Sequence, residues 1–570
     1  MTNSEIGRNV MITFDYLLEQ VRLHRRTILI ANVIAIFSIV ISVPIPLFIP
    51  FLVDEVLLGK EGKFVETVNM FVEVSSAEYY ILLVFIFIVM LRAVNVLLSI
   101  IRRLYIEQVT EDIRLDMRKK ILTHLRDVSM SEYDVLGSGA VGSKMTTDIT
   151  SVMKFISGSI GIIAVQVFTL IGISIVLLYL NWQLALIILV LNPLVIKVFI
   201  GAFKKVSKLM KKRNKAISRF TNSLTESLEL FNQIRVQNRE FHVTEKINAD
   251  AKRIRDRSYI FQIASSKSIN ISRLFLMYSM DLFKMIAVYL VFVGEMSIGE
   301  MLAIFVYAGM VMTPIQMIIK FVQDFHDAKE GMDRLNDILR LEKEPKYEMK
   351  IDPFKGKETA SIELKNVTFE YDDKRVVLKD FNLKVEAGEK VAITGETGSG
   401  KSTLANILMG LYSVSEGEIF YNGVEVKEIG FEKVRDNIGF VLQSPLMFNS
   451  SLRYNLSLGR DYSDDAMYEA LKIAQLYDFV NELPKKLDTI VGKNGTKLSG
   501  GQRQRLSIAR VLLDEPKVII FDESTSSLDM KTEDKLLEAL DEYIKDKTVI
   551  TIAHRQTTID KSDRVVQLSV

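Results

Sequence analysis

Lys390-Val-Ala-Ile-Thr-Gly395-Glu-Thr-Gly398-Ser-Gly400-Lys401-Ser402-Thr403 begins as an apolar run, opens into three glycines and closes on a lysine and two hydroxyls. Residues 390–394 have the length and turn-bounded apolar character of a buried strand, and the residues from Ser402 onward read as a helix. The turn between them, Gly395, Glu396, Thr397, Gly398, Ser399 and Gly400, has the Gly-x4-Gly-Lys-Ser spacing of a phosphate-cradling loop. Glycines let backbone N–H groups close around an anion, and the helix N-terminus behind them adds its positive pole. Lys401 is expected to reach the outer phosphate oxygens and Ser402 to ligate magnesium, with Thr403 completing the phosphate-facing set.

Two later stretches belong with this loop. Val518-Ile-Ile-Phe521 ends in Asp522 and Glu523, which reads as a buried strand delivering two carboxylates to its C-terminal edge, where ligands bind in open α/β sheets. Asp522 is expected to hold magnesium through water and Glu523 to polarise an attacking water. Leu498-Ser499-Gly500-Gly501-Gln502 precedes a helical run to Leu513, so Ser499 and the amides after it form a second anion site at a helix N-terminus. A single domain holding one triphosphate has no use for both sites.

Working outward, the 570-residue chain is too long for one ordinary core, and it is 49% hydrophobic while also 25% charged. The two kinds of residue are segregated. Long apolar runs fill residues 27–325, and charges are spread through residues 345–570. The expected organisation is an amphipathic segment at 1–26, a membrane domain at 27–325, a linker at 326–358 and an α/β domain at 359–570. A net charge of +2 argues against a nucleic-acid partner. The absence of cysteine excludes disulfides, thiolate metal sites and cysteine nucleophiles. Met1 to Gln20 lacks the apolar core of a cleavable signal, so the first span is expected to direct its own insertion.

Spanning a bilayer takes roughly 20 apolar residues in a helix, and six stretches qualify: 27–52, 79–101, 156–180, 184–203, 272–292 and 298–319. Basic clusters at His24–Arg26, Arg102–Lys120 and Lys204–Arg213 place those flanks in the cytoplasm, and the Glu-rich 54–78 loop outside. An even number of spans puts both termini and the α/β domain on the cytoplasmic side of the cell membrane. The long segments after spans two and four read as helices continuing into the cytoplasm. They break around Gly137–Asp148 and Ser223–Arg235, leaving a short helical piece at each tip. Charges inside the spans are few: Arg92, Asp281 and Lys284, with Arg273 near an end. Asp281 and Lys284, three apart on one helix face, read either as a self-neutralising pair or as part of a substrate cavity.

With Leu498 to Gln502 beside a phosphate loop, the chain resembles the ATP-binding cassette family over nearly its whole length. The likeness is to the exporter type in which a membrane domain precedes each ATPase domain, as in bacterial multidrug, lipid A and peptide exporters. The resemblance implies six transmembrane helices with long cytoplasmic extensions and two coupling helices, followed by an α/β P-loop NTPase domain, with ATP and Mg2+ as cofactors. Tyr371, in Phe369-Glu-Tyr371, matches the aromatic that stacks on adenine. Gln443, in Val-Leu-Gln443-Ser-Pro, matches the glutamine that senses the γ-phosphate and magnesium and contacts the membrane domain. Ser526-Ser-Leu-Asp529 matches the loop that crosses the dimer interface, and His554, in Ile-Ala-His-Arg, the switch histidine. The chain departs from the family at Val491-Gly-Lys493-Asn-Gly495, where a lysine stands in place of an acidic residue. It also stops at Val570, before the usual final hairpin.

In that family each ATP is sandwiched between the phosphate loop of one cassette and the signature of another, so one copy of each motif implies two chains. The expectation is a homodimer in the lipid bilayer, exporting a drug, lipid or peptide from the cytoplasm or inner leaflet by alternating access. Its alternatives are half of a heterodimeric exporter and an ATP-gated membrane protein that does not transport. Importers usually keep their membrane and ATPase parts on separate chains.

Overall fold

The computed structural model describes residues 11–60, 62–71, 76–136, 138–371, 376–396, 398–522, 530–553 and 559–568. The chain forms two compact units, Met1–Thr123 with Ser138–Arg340, and His124–Gly137 with Leu341–Val570.

The first unit is helical: α1 (Phe14–Leu23), α2 (Arg25–Ser42), α3 (Lys63–Phe71), α4 (Ala77–Asp127), α5 (Gly161–Leu180), α6 (Trp182–Glu229), α7 (Phe231–Val236), α8 (Glu240–Phe292), α9 (Ile298–Met310) and α10 (Met312–Leu339). Among the described residues, four helical stretches are long and apolar enough to cross a membrane: Arg25–Leu57, Ala77–Asp127, Val141–Leu180 and Glu240–Phe292. Helix α9 is a shorter apolar helix, and α6 carries the fourth stretch read from the sequence. Phe85, Ile86, Met90 and Leu97 stand exposed along α4. A row of large apolar side chains on a long helix is stable where the surrounding solvent is itself apolar.

In such a solvent every backbone polar group needs a protein partner, and the first span is where this is hardest. Pro44, Pro46 and Pro50 lack N–H donors and disrupt the regular helix. The chain tightens into a 3-10 turn at Ile45–Leu47 and then widens into π-helical turns at Phe51–Leu57. The Leu47 N–H goes to the Pro44 carbonyl at 2.9 Å instead of reaching back to Val43. The Val43 carbonyl is served by the Tyr307 hydroxyl, which donates from α9 at 2.6 Å and is fully buried. Just beyond, Asp54 accepts from the Ser297 hydroxyl at 2.5 Å, at the start of α9. Glu55 accepts from the N–H groups of Phe64 and Val65, both at 2.9 Å. That carboxylate caps α3, so part of the stretch expected as a loop is helical.

The second break lies where the sequence places it, and the first begins a few residues earlier. Helix α6 runs past Ser223 to Glu229 and turns at Leu230, with α7 as the short piece before α8. Helix α4 ends at Asp127; short helices follow at Met130–Val135 and, inside the expected Gly137–Asp148 region, at Ser138–Ser143.

In the second unit the described strands form two sheets. An antiparallel sheet has the order β2 (Val376–Val385), β1 (Ile362–Glu370), β4 (Glu416–Tyr421), β5 (Val424–Glu425). A parallel sheet has the order β6 (Ile438–Val441), β7 (Val518–Asp522), β8 (Thr548–Ile552), β3 (Lys390–Gly395), β9 (Arg564–Leu568). Strand β7 is buried at every position, as its unbroken apolar run requires for a sheet covered on both faces. Helix α11 (Lys401–Leu408) leaves β3 and buries Leu404, Ala405, Ile407 and Leu408 in a core shared with Leu364, Val385, Ile438 and Ile520. Helix α13 (Gly500–Leu513) packs Leu506, Ile508 and Leu512 into a second core with Val441, Leu471 and Phe521.

The C-terminal end of α11 is pinned. The Tyr421 hydroxyl, fully buried, donates to the Leu408 carbonyl at 2.6 Å, and burial pushes its pKa far above the ordinary phenol value, so it remains a donor. Replacing Tyr421 by Phe removes the donor but not the ring, and is expected to destabilise this unit by about 1–2 kcal/mol. Thermal unfolding of the full chain checks this, at roughly 2–4 °C per kcal/mol for a unit of this size. An unchanged midpoint would show that the hydroxyl contributes nothing.

Candidate functional site

Parallel pairing fixes where the polar groups meet. Val441 pairs with Phe521, Asp522 with Ile552, and Ile393 with Ile552. The C-terminal ends of β6, β7, β8 and β3 therefore lie at one edge of the sheet. That edge carries Gln443 two residues after β6, Asp522 as the last residue of β7, and Gly395 as the last of β3. Thr397, Glu523, Asp529 and His554 lie outside the described residues; Glu523 directly follows β7, and His554 comes two residues after β8.

The loop after β3 is built on positive φ. Gly398 and Gly400 have φ of +91° and +93°, and Gly395 has φ of +154°. A Cβ on Gly400 would lie 2.6 Å from the Val377 side chain, and one on Gly395 2.6 Å from the Leu568 carbonyl oxygen. Lys401, itself buried, folds back over the loop and donates to the carbonyls of Gly395 and Glu396, both at 2.8 Å. The Ser402 hydroxyl donates to Asp522 at 3.2 Å. The Ser399 hydroxyl is buried without a partner among the described residues.

These residues fit a phosphate group and its magnesium ion. The lysine can exchange two carbonyl acceptors for phosphate oxygens without leaving the loop. The Ser402–Asp522 pair offers two hard oxygen donors, which suits an ion that keeps several waters and takes its remaining ligands from phosphate. Tyr371 lies beside this loop: its hydroxyl is 3.1 Å from that of Thr403. Its ring packs edge-on against Phe369 and Tyr412.

Ser499 is the N-cap of α13, and its cap is reciprocal. The Gln502 N–H donates to the Ser499 hydroxyl at 3.1 Å, and the Ser499 N–H to the Gln502 side-chain oxygen at 2.8 Å. Gly500 and Gly501 provide the first-turn N–H groups at this end. Sequence reasoning missed Gln504. It is almost wholly buried on α13, and its amide donates to the Gln443 carbonyl at 3.4 Å, tying the Ser499 helix to the loop after β6. The available signal was a polar residue on the apolar face of that helix. Asn455, fully buried, holds the N–H and carbonyl of Phe448 at 2.8 and 3.0 Å and fixes the rest of that loop. In the membrane unit, Asp281 and Lys284 pair with each other at 3.5 Å on α8, and Arg92 is exposed on α4.

Residues 28–315 match the family described as the ABC transporter transmembrane region, and residues 378–526 match the family described as ABC transporter. The chain belongs to the ABC transporter family. The uncharacterized ABC transporter ATP-binding protein YwjA of Bacillus subtilis (strain 168) is 32% identical over 456 residues, covering 80% of this chain and 79% of that protein. The ATP-dependent lipid A-core flippase of Yersinia pestis bv. Antiqua (strain Antiqua) is 32% identical over 467 residues, covering 81% and 79%. A solved structure of a bacterial Atm1-family ABC exporter with ATP bound superposes with a TM-score of 0.82, covering 96% of this chain and 93% of that one. At 24% identity, that match speaks for the fold. The transporter thus fuses its membrane region ahead of its cassette in one chain, as an ATPase coupled to transmembrane transport.

The left-handed turn at Gly400 yields a direct test of the loop. Gly400→Ala is expected to cost roughly 1–2 kcal/mol for the non-glycine residue at positive φ, and to weaken nucleotide binding because the loop amides shift. Thermal unfolding with and without ATP checks both effects. Wild-type stabilisation by ATP in this variant would refute the loop's role.

Proposed function

We propose that this ABC transporter is a homodimeric exporter of the cell membrane that moves a hydrophobic or amphipathic cargo outward by alternating access. The observation that carries this reading is the Lys401 loop set 3.2 Å from a carboxylate through Ser402, in a chain that also carries its own membrane region. Six spans within residues 27–325, with both termini and the 359–570 cassette in the cytoplasm, give the simplest topology consistent with the basic flanks. A lipid-like cargo is supported by relatives named lipid A-core flippase and by spans holding few charges.

In this reading Tyr371 stacks on adenine, and the amides of residues 395–400 with Lys401 hold the phosphates. Ser402, Gln443 and Asp522 hold Mg2+, whose charge offsets that of the phosphates when bound. Glu523 orients and polarises the attacking water, and His554 steadies the transferring phosphoryl group. Ser499, Gly500, Gly501, Gln502 and Asp529 of one chain complete the site of its partner, so two copies arranged head to tail form two equivalent sites. Closure around ATP supplies the differential free energy that a change of membrane conformation requires. The helical tips near Met130–Val135 and at α7 are the candidates for carrying that change to the spans.

ATP-dependent accumulation of a fluorescent lipid in inverted membrane vesicles is the expected result, and ATP hydrolysis without accumulation of any lipid, drug or peptide probe would end the exporter reading. Glu523→Gln is expected to keep ATP binding while slowing hydrolysis at least ~100-fold, the usual range for loss of a general base. Wild-type turnover would remove Glu523 from its role.

The shared sites have their own test. Ser499→Arg chains and Lys401→Ala chains should each be inactive alone. In a mixed head-to-tail dimer both lesions fall on one composite site and the other stays intact, so mixing should restore part of the activity. No recovery from mixing, or full activity in a monomer, would overturn the arrangement. Activity that appears only on adding a different half-transporter would point to the heterodimer.

A further inference from the structure

The segment leading from the membrane unit into the cassette is fastened at several points within the second unit. Its first residues clip onto the foot of α4: the Ser129 N–H donates to the Glu342 carbonyl at 2.9 Å and the Glu344 N–H to the Asp127 carbonyl at 2.8 Å. Lys346 adds a charged bond to the Asp127 carboxylate at 3.0 Å. Further on, the N–H groups of Lys350 and Ile351 both donate to the Glu428 carbonyl, at 2.8 and 3.2 Å. Between these points Tyr347 lies against Phe431, with ring centres 5.6 Å apart. The close seating needs Gly430, where a Cβ would come within 2.9 Å of the Tyr347 carbonyl oxygen.

The middle fastening is of a different kind. Arg435 ends the short helix α12 (Phe431–Arg435) and grips Glu344 with both arms of its guanidinium, at 2.6 and 3.0 Å. The same guanidinium donates to the Gly410 carbonyl at 3.1 Å, two residues beyond the end of α11. A cation at that end also favours the helix dipole. At about 1.5 Å per residue, α11 is a stiff rod roughly 12 Å long, with the phosphate loop at its other end. Moving the Arg435 end moves the loop amides.

We propose that Arg435 is a positioning residue for the ATP site, and that Glu344 on the interdomain segment sets where Arg435 holds the α11 helix. Rearrangement of the foot of α4 or of the segment after α10 then alters ATP affinity through α11, by a route additional to the helical tips. This rests on the ATP-site reading above, in which the loop ahead of α11 holds the phosphates. Lysine cannot replace this arginine, because a single ammonium does not reproduce a fork that engages a carboxylate and a carbonyl together.

The test compares Arg435→Lys, Glu344→Gln and the double variant as full chains in lipid, reading KM for ATP, kcat and the thermal midpoint. Each single variant is expected to raise KM for ATP roughly 3- to 10-fold, the scale of one ordinary net hydrogen bond, with a smaller change in kcat. The double variant should match the worse single one, since both act through one contact. The near-isosteric Glu344→Gln keeps the test alive if Arg435→Lys folds poorly. A lower midpoint with KM within twofold of wild type in both singles would make the contact structural only and overturn the proposal. Lys401→Ala, titrated with ATP alongside, separates the two readings. If it loses affinity while Arg435→Lys and Glu344→Gln do not, only the positioning role falls. If it keeps wild-type affinity, the ATP-site reading falls and the positioning role with it.

Discussion

Parallel register is the constraint from which the rest of the cassette follows. Once β6, β7, β8 and β3 run the same way with their last residues level, a strand such as β7, buried at every position, has one place for a charge, which is its end. Asp522 sits there, and the glycine turn that leaves β3 meets it through Ser402. Among the described residues, no strand contributes a polar side chain from its middle to this site. The chemistry is carried by strand ends and by the first turns of helices, where the backbone has N–H groups to offer. Polar residues deeper in the unit, Gln504 and Asn455, act on backbone groups of the loop after β6 and fix its path.

The membrane unit answers to a different constraint, the need to satisfy every backbone group without water. Three prolines within seven residues make the first span a hard case, and it is solved by side chains borrowed from elsewhere. Tyr307 serves the Val43 carbonyl, and just past the span Glu55 caps α3 and Asp54 meets Ser297 at the start of α9. The contacts of Tyr307 and Asp54 join segments more than 200 residues apart in sequence.

That separation also explains what could be read from the sequence and what could not. The strand, glycine turn and helix at residues 390–408 were legible because the whole pattern lies within about 20 residues and each position has a local reason. The Ser499 cap was legible for the same reason. The helical character of residues 63–71 was not, since it depends on Glu55 reaching across a turn. The bonds of Tyr371 to Thr403, Gln504 to Gln443 and Arg435 to Glu344 join residues 32, 61 and 91 positions apart. Such pairings are set by how the sheets and helices stack, which composition and periodicity do not encode.

The second unit is discontinuous: it takes His124–Gly137 from the early part of the chain and completes itself with Leu341–Val570. During synthesis at about 5–20 residues per second, the early piece leaves the ribosome some 10–40 s before its partners at Glu342 and Glu344 exist. Over that interval the Asp127 carbonyl and the Ser129 N–H lack these partners, while later spans are still being inserted. Final assembly of the cassette is therefore ordered after the membrane helices, and a lesion that stalls insertion of α8 or α9 would leave the His124–Gly137 piece waiting for a partner that arrives late.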